Sequence, residues 1–182
     1  MKNTISTYLA EINEPDISNA VWRILKQCDH EFVPPLSCRK STISKNLVSN
    51  LIEKPGEPRS YFNMLTRQYL ILAEYTGSTA GFMSFRNQYS MPELKGYNPS
   101  NYITTICINE KYRNRGIGAS LYRAVIALLP ERLKCDFIST RTWNGNTAHI
   151  HLLQKMDFHL VHQIENDRGP GIDTQYWAKR MV

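Results

Sequence analysis

Apolar residues between Asp16 and Cys28 fall at Ile17, Ala20, Val21, Ile24, Leu25 and Cys28, and this three-to-four-residue recurrence predicts one amphipathic helix. A second stretch of that kind, with Ile43, Leu47, Val48, Leu51 and Ile52, is stopped by Pro55-Gly56. Between them Phe32-Val33-Pro34-Pro35-Leu36 is expected to be extended, since proline lacks a donor and disfavours helix in the residue before it. Tyr69 to Tyr75 and Ala80 to Phe85 are apolar, aromatic-rich runs around Thr76-Gly77-Ser78-Thr79, which predicts a hairpin. Residues 87 to 101, with Pro92, Gly96 and Pro99, read as a long loop, either part of an acceptor site or a surface excursion. The β-branched run Tyr102 to Ile108 predicts a strand. Ile117, Leu121, Val125 and Leu128 then recur at helical spacing until Pro130.

A second strand and helix follow, near Cys135 to Trp143 and near Asn146 to Met156, the helix turning Ala148, Leu152, Leu153 and Met156 inward. Phe158 to Gln163 and Thr174 to Ala178 read as closing strands. No repeat, low-complexity tract or compositional break divides the 182 residues, so the pattern amounts to one α/β domain.

Composition changes this picture little. The apolar fraction is 42% and the charged fraction 21%, ordinary for a globular domain, and a mean hydropathy of -0.41 argues against a lipid-facing chain. No apolar run approaches the about 20 residues of a membrane helix, and the first eight residues lack the apolar core of a secretion signal, so no membrane role and a cytoplasmic location are expected. Cys28, Cys38, Cys107 and Cys135 are too widely spaced for a zinc site or a disulfide framework and read as reduced thiols; no metal is expected. The net charge of +6 suits an anionic small molecule. Apart from Lys111, Arg113 and Arg115 the basic residues look scattered, which argues against a nucleic-acid surface.

The informative turn is Arg113-Asn114-Arg115-Gly116-Ile117-Gly118, where a strand ends and a helix begins. Unpaired backbone N–H groups at the positive end of a helix make an anion site. Gly116 and Gly118 would admit a phosphate close to the backbone, and Arg113 and Arg115 add charge. The phosphate loop G-x-x-x-x-G-K-[ST] is absent, and the dinucleotide fingerprint fails because Leu121 stands where its third glycine belongs.

With Tyr112 before it, this segment resembles the [Q/R]-x-x-G-x-[G/A] acetyl-CoA motif of the GNAT superfamily of N-acetyltransferases. Asn146 through Lys155-Met156-Asp157-Phe158 is similar to that family's N-x-x-x-x-x-x-Y-x-x-x-G-F segment. The resemblance implies a single α/β domain with a central mixed, mostly antiparallel sheet, splayed at the acetyl-CoA site and flanked by helices. Residues 1–60 would form a helical acceptor side, 69–163 the acetyl-CoA core and 164–182 a closing strand. It further implies that Ile106, Cys107 and Ile108 pair with pantetheine and that Arg113, Asn114, Arg115, Gly116, Ile117, Gly118 and Ala119 hold pyrophosphate. Asn146 would reach the pantetheine arm, cap its own helix, or both. Two positions depart from the pattern: Leu153 replaces the tyrosine near the departing thiolate, and Asp157 replaces the glycine of G-F.

The activity implied is acetyl transfer from acetyl-CoA to the primary amine of a small molecule by direct attack, in a monomer or homodimer. Alternatives are a non-catalytic acyl-CoA-binding module and a peptide or protein N-acetyltransferase. A backbone N–H near Ile108 would polarise the thioester carbonyl. Candidate bases are Glu110, Asp136 and His149, each also readable as structural, with Glu74 and Asp173 ranked lower. Trp143 and the proline-stiffened segment Phe32 to Arg39 are candidates for the acceptor wall.

Overall fold

The computed structural model describes residues 4–44, 47 and 56–181, so most of the second amphipathic stretch lies outside the described residues. Seven strands, β1 (Ile5–Ala10), β2 (Tyr69–Tyr75), β3 (Ser78–Tyr89), β4 (Ser100–Ile108), β5 (Phe137–Trp143), β6 (His159–Ile164) and β7 (Thr174–Arg180), form one sheet in the order β1-β2-β3-β4-β5-β7-β6. All neighbouring pairs are antiparallel except β4 and β5. These two are joined by a helical crossover, the connection that parallel strands require. The mixed, mostly antiparallel sheet is the one expected.

Helices cover both faces, which is why the strands read as nearly continuous apolar runs. Helix α1 (Pro15–Cys28) begins with Pro15 and Asp16 in its first turn, both favourable at a helix start. It buries Val21, Ile24, Leu25 and Cys28, with Tyr61 and Leu65 of α2 (Arg59–Leu65), against Leu70, Leu72, Phe82 and Cys107. On the opposite face α3 (Ile117–Ala127) and α4 (Thr147–Lys155) place Ile117, Leu121, Val125 and Leu153 against Ile71, Met83, Ile103 and Ile138. Each leucine enclosed in this way contributes about 1.5–3 kcal/mol.

Several features differ from the sequence expectation, among them Ala148, exposed on α4 where an inward position was expected. Strand β1 pairs along its length with β2, from Ile5 opposite Tyr75 to Ala10 opposite Leu70, although its own residues carry no clear alternation. The short helix α2 was also unmarked in the pattern. The predicted loop 87–101 is shorter, because β3 runs to Tyr89 and β4 starts at Ser100; a 3-10 turn at Pro92–Leu94 pins it through buried Leu94. Leu128 is 50% exposed just past α3, and Leu129 is buried in its place.

Candidate active site

The β4–β5 ladder runs from Ser100 opposite Phe137 to Ile103 opposite Thr140 and stops there. Strand β4 continues to Ile108 and β5 to Trp143, so the sheet forks beyond that rung. The direction of the β4 amides follows from the alternation of antiparallel bonding. Asn109 N–H donates to Ala80 O, and Gly81 stands opposite Ile108 in the same register. Cys107 therefore bonds toward β3, while Ile106 and Ile108 turn their N–H groups into the fork.

A groove of about 580 Å³ runs through the fork, within the usual range for a ligand site. Ile106, Cys107, Ile108, Arg113, Asn114, Gly116, Ile117, Gly118, Ala119, Asn146 and His149 all line it. Of the residues expected to bind cofactor, only Arg115 is outside. Its guanidinium lies over the Tyr75 ring at 5.0 Å and donates to the Tyr75 hydroxyl at 3.1 Å. Arg113 is on the wall but faces across the groove, donating to Glu31 at 2.7 Å and to Ile108 O at 3.2 Å.

The two glycines of the turn have different reasons. Gly116 has φ +81°, a left-handed conformation that β-carbon-bearing residues adopt at a cost, and a Cβ built on it would meet nothing within 4 Å. The space beside it is thus open at the N-terminus of α3, where helix geometry leaves the first N–H groups without intrahelical partners. Gly118 lets α3 approach α4 closely, since a Cβ there would come within 2.9 Å of Leu152 Cδ2, the tip of a flexible side chain that would have to turn aside. Both glycines were expected to admit a phosphate, and both line the groove, Gly116 with the open left-handed turn and Gly118 in the first turn of α3. The open cradle, the helix start and the outward amides of β4 together fit the pyrophosphate and pantetheine arm of an acyl-CoA.

Asn146 caps α4, its side-chain oxygen accepting from His149 N at 3.3 Å, and it also lines the groove, so the two roles proposed for it are compatible. His149 Nε2 and the Tyr122 hydroxyl are hydrogen-bonded at 2.8 Å. Burial pushes the imidazole down to about 4, so His149 is neutral at pH 7. Leu153 is fully buried in the core beneath α4, and it is Leu152 that faces the groove. The position compared with a cofactor-facing tyrosine is therefore a packing position in this chain.

The carboxylate candidates are corrected more sharply. Asp136 is exposed just before β5, at the end where β5 pairs with the start of β4, and the last rung before the fork, Thr140, is four residues further along, about 13 Å by strand rise. Glu110 is exposed in the 3-10 turn after β4 and does not reach the groove. Glu74 accepts from the Tyr8 hydroxyl, and Asp173 accepts from Asn166 N and Gln163 in a loop. Among the described residues the groove wall carries one carboxylate, Glu31. Nothing in the local pattern marked it; it lies in the 3-10 turn Asp29–Glu31 that follows α1, whose last residue, Cys28, also lines the groove. Phe32, Arg39 and Trp143 line the groove as the acceptor-wall expectation required, with the Phe32 and Trp143 rings 6.3 Å apart. No group of three or more His, Cys, Asp or Glu suited to a metal occurs among the described residues.

Comparison with known proteins agrees with this geometry. A search of curated protein sequences returns no match. Among solved structures, an N-acetyltransferase from Staphylococcus aureus Mu50 superposes with a TM-score of 0.67 at 16% identity, covering 98% of this chain and 99% of that one. The ribosomal-protein-S18-alanine N-acetyltransferase of Escherichia coli gives 0.63 at 18% identity, covering 99% and 94%. A Salmonella typhimurium protein of the acetyltransferase type, solved with its cofactor acetyl-CoA, gives 0.67 at 13% identity, covering 99% and 95%. These identities speak for the fold. The sequence model of the acetyltransferase (GNAT) family matches residues 38–158, which include the forked strands, the Gly116 turn and α4, and the chain belongs to that family.

Proposed function

We propose that the protein transfers the acetyl group of acetyl-CoA to the primary amine of a small molecule. The observation that carries this reading is the fork, where the Ile106 and Ile108 amides face a groove that continues to the open left-handed turn at Gly116. Residues Gly116 to Ala119 would hold pyrophosphate through backbone N–H groups, and Ile106 to Ile108 with Asn146 would hold the pantetheine arm. When bound, acetyl-CoA supplies an electrophilic thioester carbonyl and a thiolate leaving group. The Ile108 N–H would stabilise negative charge developing on that carbonyl oxygen.

In direct transfer an N–C bond forms as the C–S bond breaks, and the proton lost by nitrogen must leave the site. Glu31 accepts it in this reading, being the only described carboxylate on the wall. His149 keeps its imidazole in the hydrogen bond to Tyr122, where burial makes it a weak base. An alkyl thiol has a pKa of about 8.5, so the thiolate can leave without a proton donor, consistent with Leu153 in the core. Residues up to about 60 supply the acceptor side, with Phe32 and Arg39 on the wall.

Thiol release from acetyl-CoA over a panel of amines, amino acids, amino sugars, polyamines and peptides tests this proposal. Turnover with a small amine, and a loss of at least tenfold in Glu31→Gln, are expected. Acetyl-CoA that binds without thiol release to any acceptor would make the protein a binding module, and release to peptides alone would make it a peptide acetyltransferase.

A further inference from the structure

The acceptor end of the groove is lined by three arginines that lie far apart in sequence: Arg39 after the Leu36–Cys38 turn, Arg141 on β5, and Arg168 in the loop before β7. Arg39 and Arg168 are only 5% and 2% exposed, and Arg141 is half-buried. Their hydrogen bonds go to neutral oxygens. Arg39 donates to Pro34 O and Val33 O, and Arg141 to Ser44 O and Thr42 O. Arg168 donates to Val33 O, Thr142 O and the Thr174 hydroxyl. No ion pair joins any of the three to a carboxylate among the described residues. Two acids lie nearby, Asp29 accepting from the Ser37 amide and hydroxyl and Asp167 from the Thr174 hydroxyl.

The three cations feel one another. Burial and then the other guanidiniums hold Arg168 down at about 9, and Arg39, lowered first by burial and also by Arg141, is held at about 10. Asp29 acts as a countercharge on Arg39 and Asp167 on Arg168, which leaves three cations facing two carboxylates, and burying charge that is not fully neutralised is unfavourable. The carbonyls that hold them fix their orientation without neutralising them. A guanidinium has five N–H donors, of which these bonds use two on Arg39 and three on Arg168. Phe32 lies over Arg39 at 5.4 Å and Trp143 over Arg168 at 5.6 Å, so the cations form the floor of a box with aromatic walls.

This cluster is separate from the pyrophosphate cradle. Arg141 follows the last ladder rung, Ile103 opposite Thr140, on the β5 arm, whereas the cradle at Gly116 to Ala119 comes after β4 has ended at Ile108, five residues past that rung and roughly 16 Å along the strand. We infer that Arg39, Arg141 and Arg168 form an acceptor subsite for an oxyanion, so that the amine acetylated here belongs to a small molecule that also carries a carboxylate or a phosphate-type group. The inference rests on the acetyl-transfer reading for its amine, but the anion site can be measured without turnover.

Two measurements on the full chain test it. In the first, thiol release is compared for amino acids and their own C-terminal amides, with aminoalkylphosphonates as a third arm. The acids or phosphonates should exceed the amides in kcat/KM by about tenfold to a hundredfold, the range for a hydrogen-bonded charge. That ratio should collapse toward one in Arg141→Gln and fall only partly in Arg39→Lys, which keeps the charge. Equal turnover of acids and amides by the wild type, or an unchanged ratio in both variants, overturns the subsite. In the second, thermal stability is followed with inorganic phosphate, acetate and malonate in the presence of saturating acetyl-CoA, which occupies the other anion site. A rise in Tm in the wild type that is lost in Arg141→Gln supports the subsite even if no amine is turned over, in which case only the transfer reading has failed. No rise with any of the three anions, or the same rise in the variant, overturns it.

Discussion

His149 offers the most direct check of the groove's interior. Its imidazole is pushed by burial from an unfolded value of about 6.5 to about 4. The folded chain therefore binds fewer protons than the unfolded chain between these values, and stability present above pH 6.5 is lost as pH falls toward 4. About two and a half pH units at 1.36 kcal/mol each give about 3 kcal/mol as the upper bound of the loss. The perturbation is His149→Leu, which removes the titration from the site. Urea unfolding of the ligand-free wild type and variant at several pH values from 7.5 to 4 provides the assay, and the difference between the two curves cancels carboxylates common to both. The wild type should lose stability faster than the variant by up to about 1.4 kcal/mol per pH unit, mostly below pH 6. Parallel curves across that range would show that the imidazole protonates freely in the folded state, and the enclosed contact with Tyr122 would be wrong.

The glycines of the turn should separate by phenotype. Gly116→Val should cost about 1–2 kcal/mol of stability for its left-handed backbone and abolish acetyl-CoA binding by calorimetric titration, whereas Gly118→Ala should change stability by less than about 1 kcal/mol, the contact with the flexible tip of Leu152 being offset by the helix propensity gained. Unchanged affinity in Gly116→Val would remove the turn from the cofactor site. Leu153→Tyr should overpack the core and lower stability by about 1–3 kcal/mol in denaturant titrations, with turnover per folded molecule unchanged; a raised turnover at full stability would put position 153 on the groove after all.

Much of this chain was legible from local pattern. The strand, turn and helix around Arg113 to Gly118 could be read because each used a short-range signal, β-branched residues, glycine and helical spacing, that tertiary contacts then reinforced. Strand β1 and helix α2 left no such mark: β1 is held by pairing with β2, and α2 by burying Tyr61 and Leu65 under the sheet, and both are long-range terms. The directions of charged side chains were likewise decided by the assembled fold. Arg115 turned to the Tyr75 ring and Arg113 to Glu31, neither of them near in sequence.

The basic residues make the division plain. In sequence Arg39, Arg141 and Arg168 look like scattered surface charge, because spacing carries information only within an element, where side chains three or four apart on a helix or two apart on a strand share a face. The three meet because β5 diverges from β4, the segment after α1 folds back over the fork, and the loop before β7 returns beside them. The sequence by itself determined most of the elements, the glycine turn between β4 and α3 and the acetyltransferase family, all written in local order. Which carboxylate faces the groove, which leucine of α4 is buried, and that three cations share one wall were decided only by the tertiary structure, because side chains distant along the chain become neighbours only once the sheet has assembled.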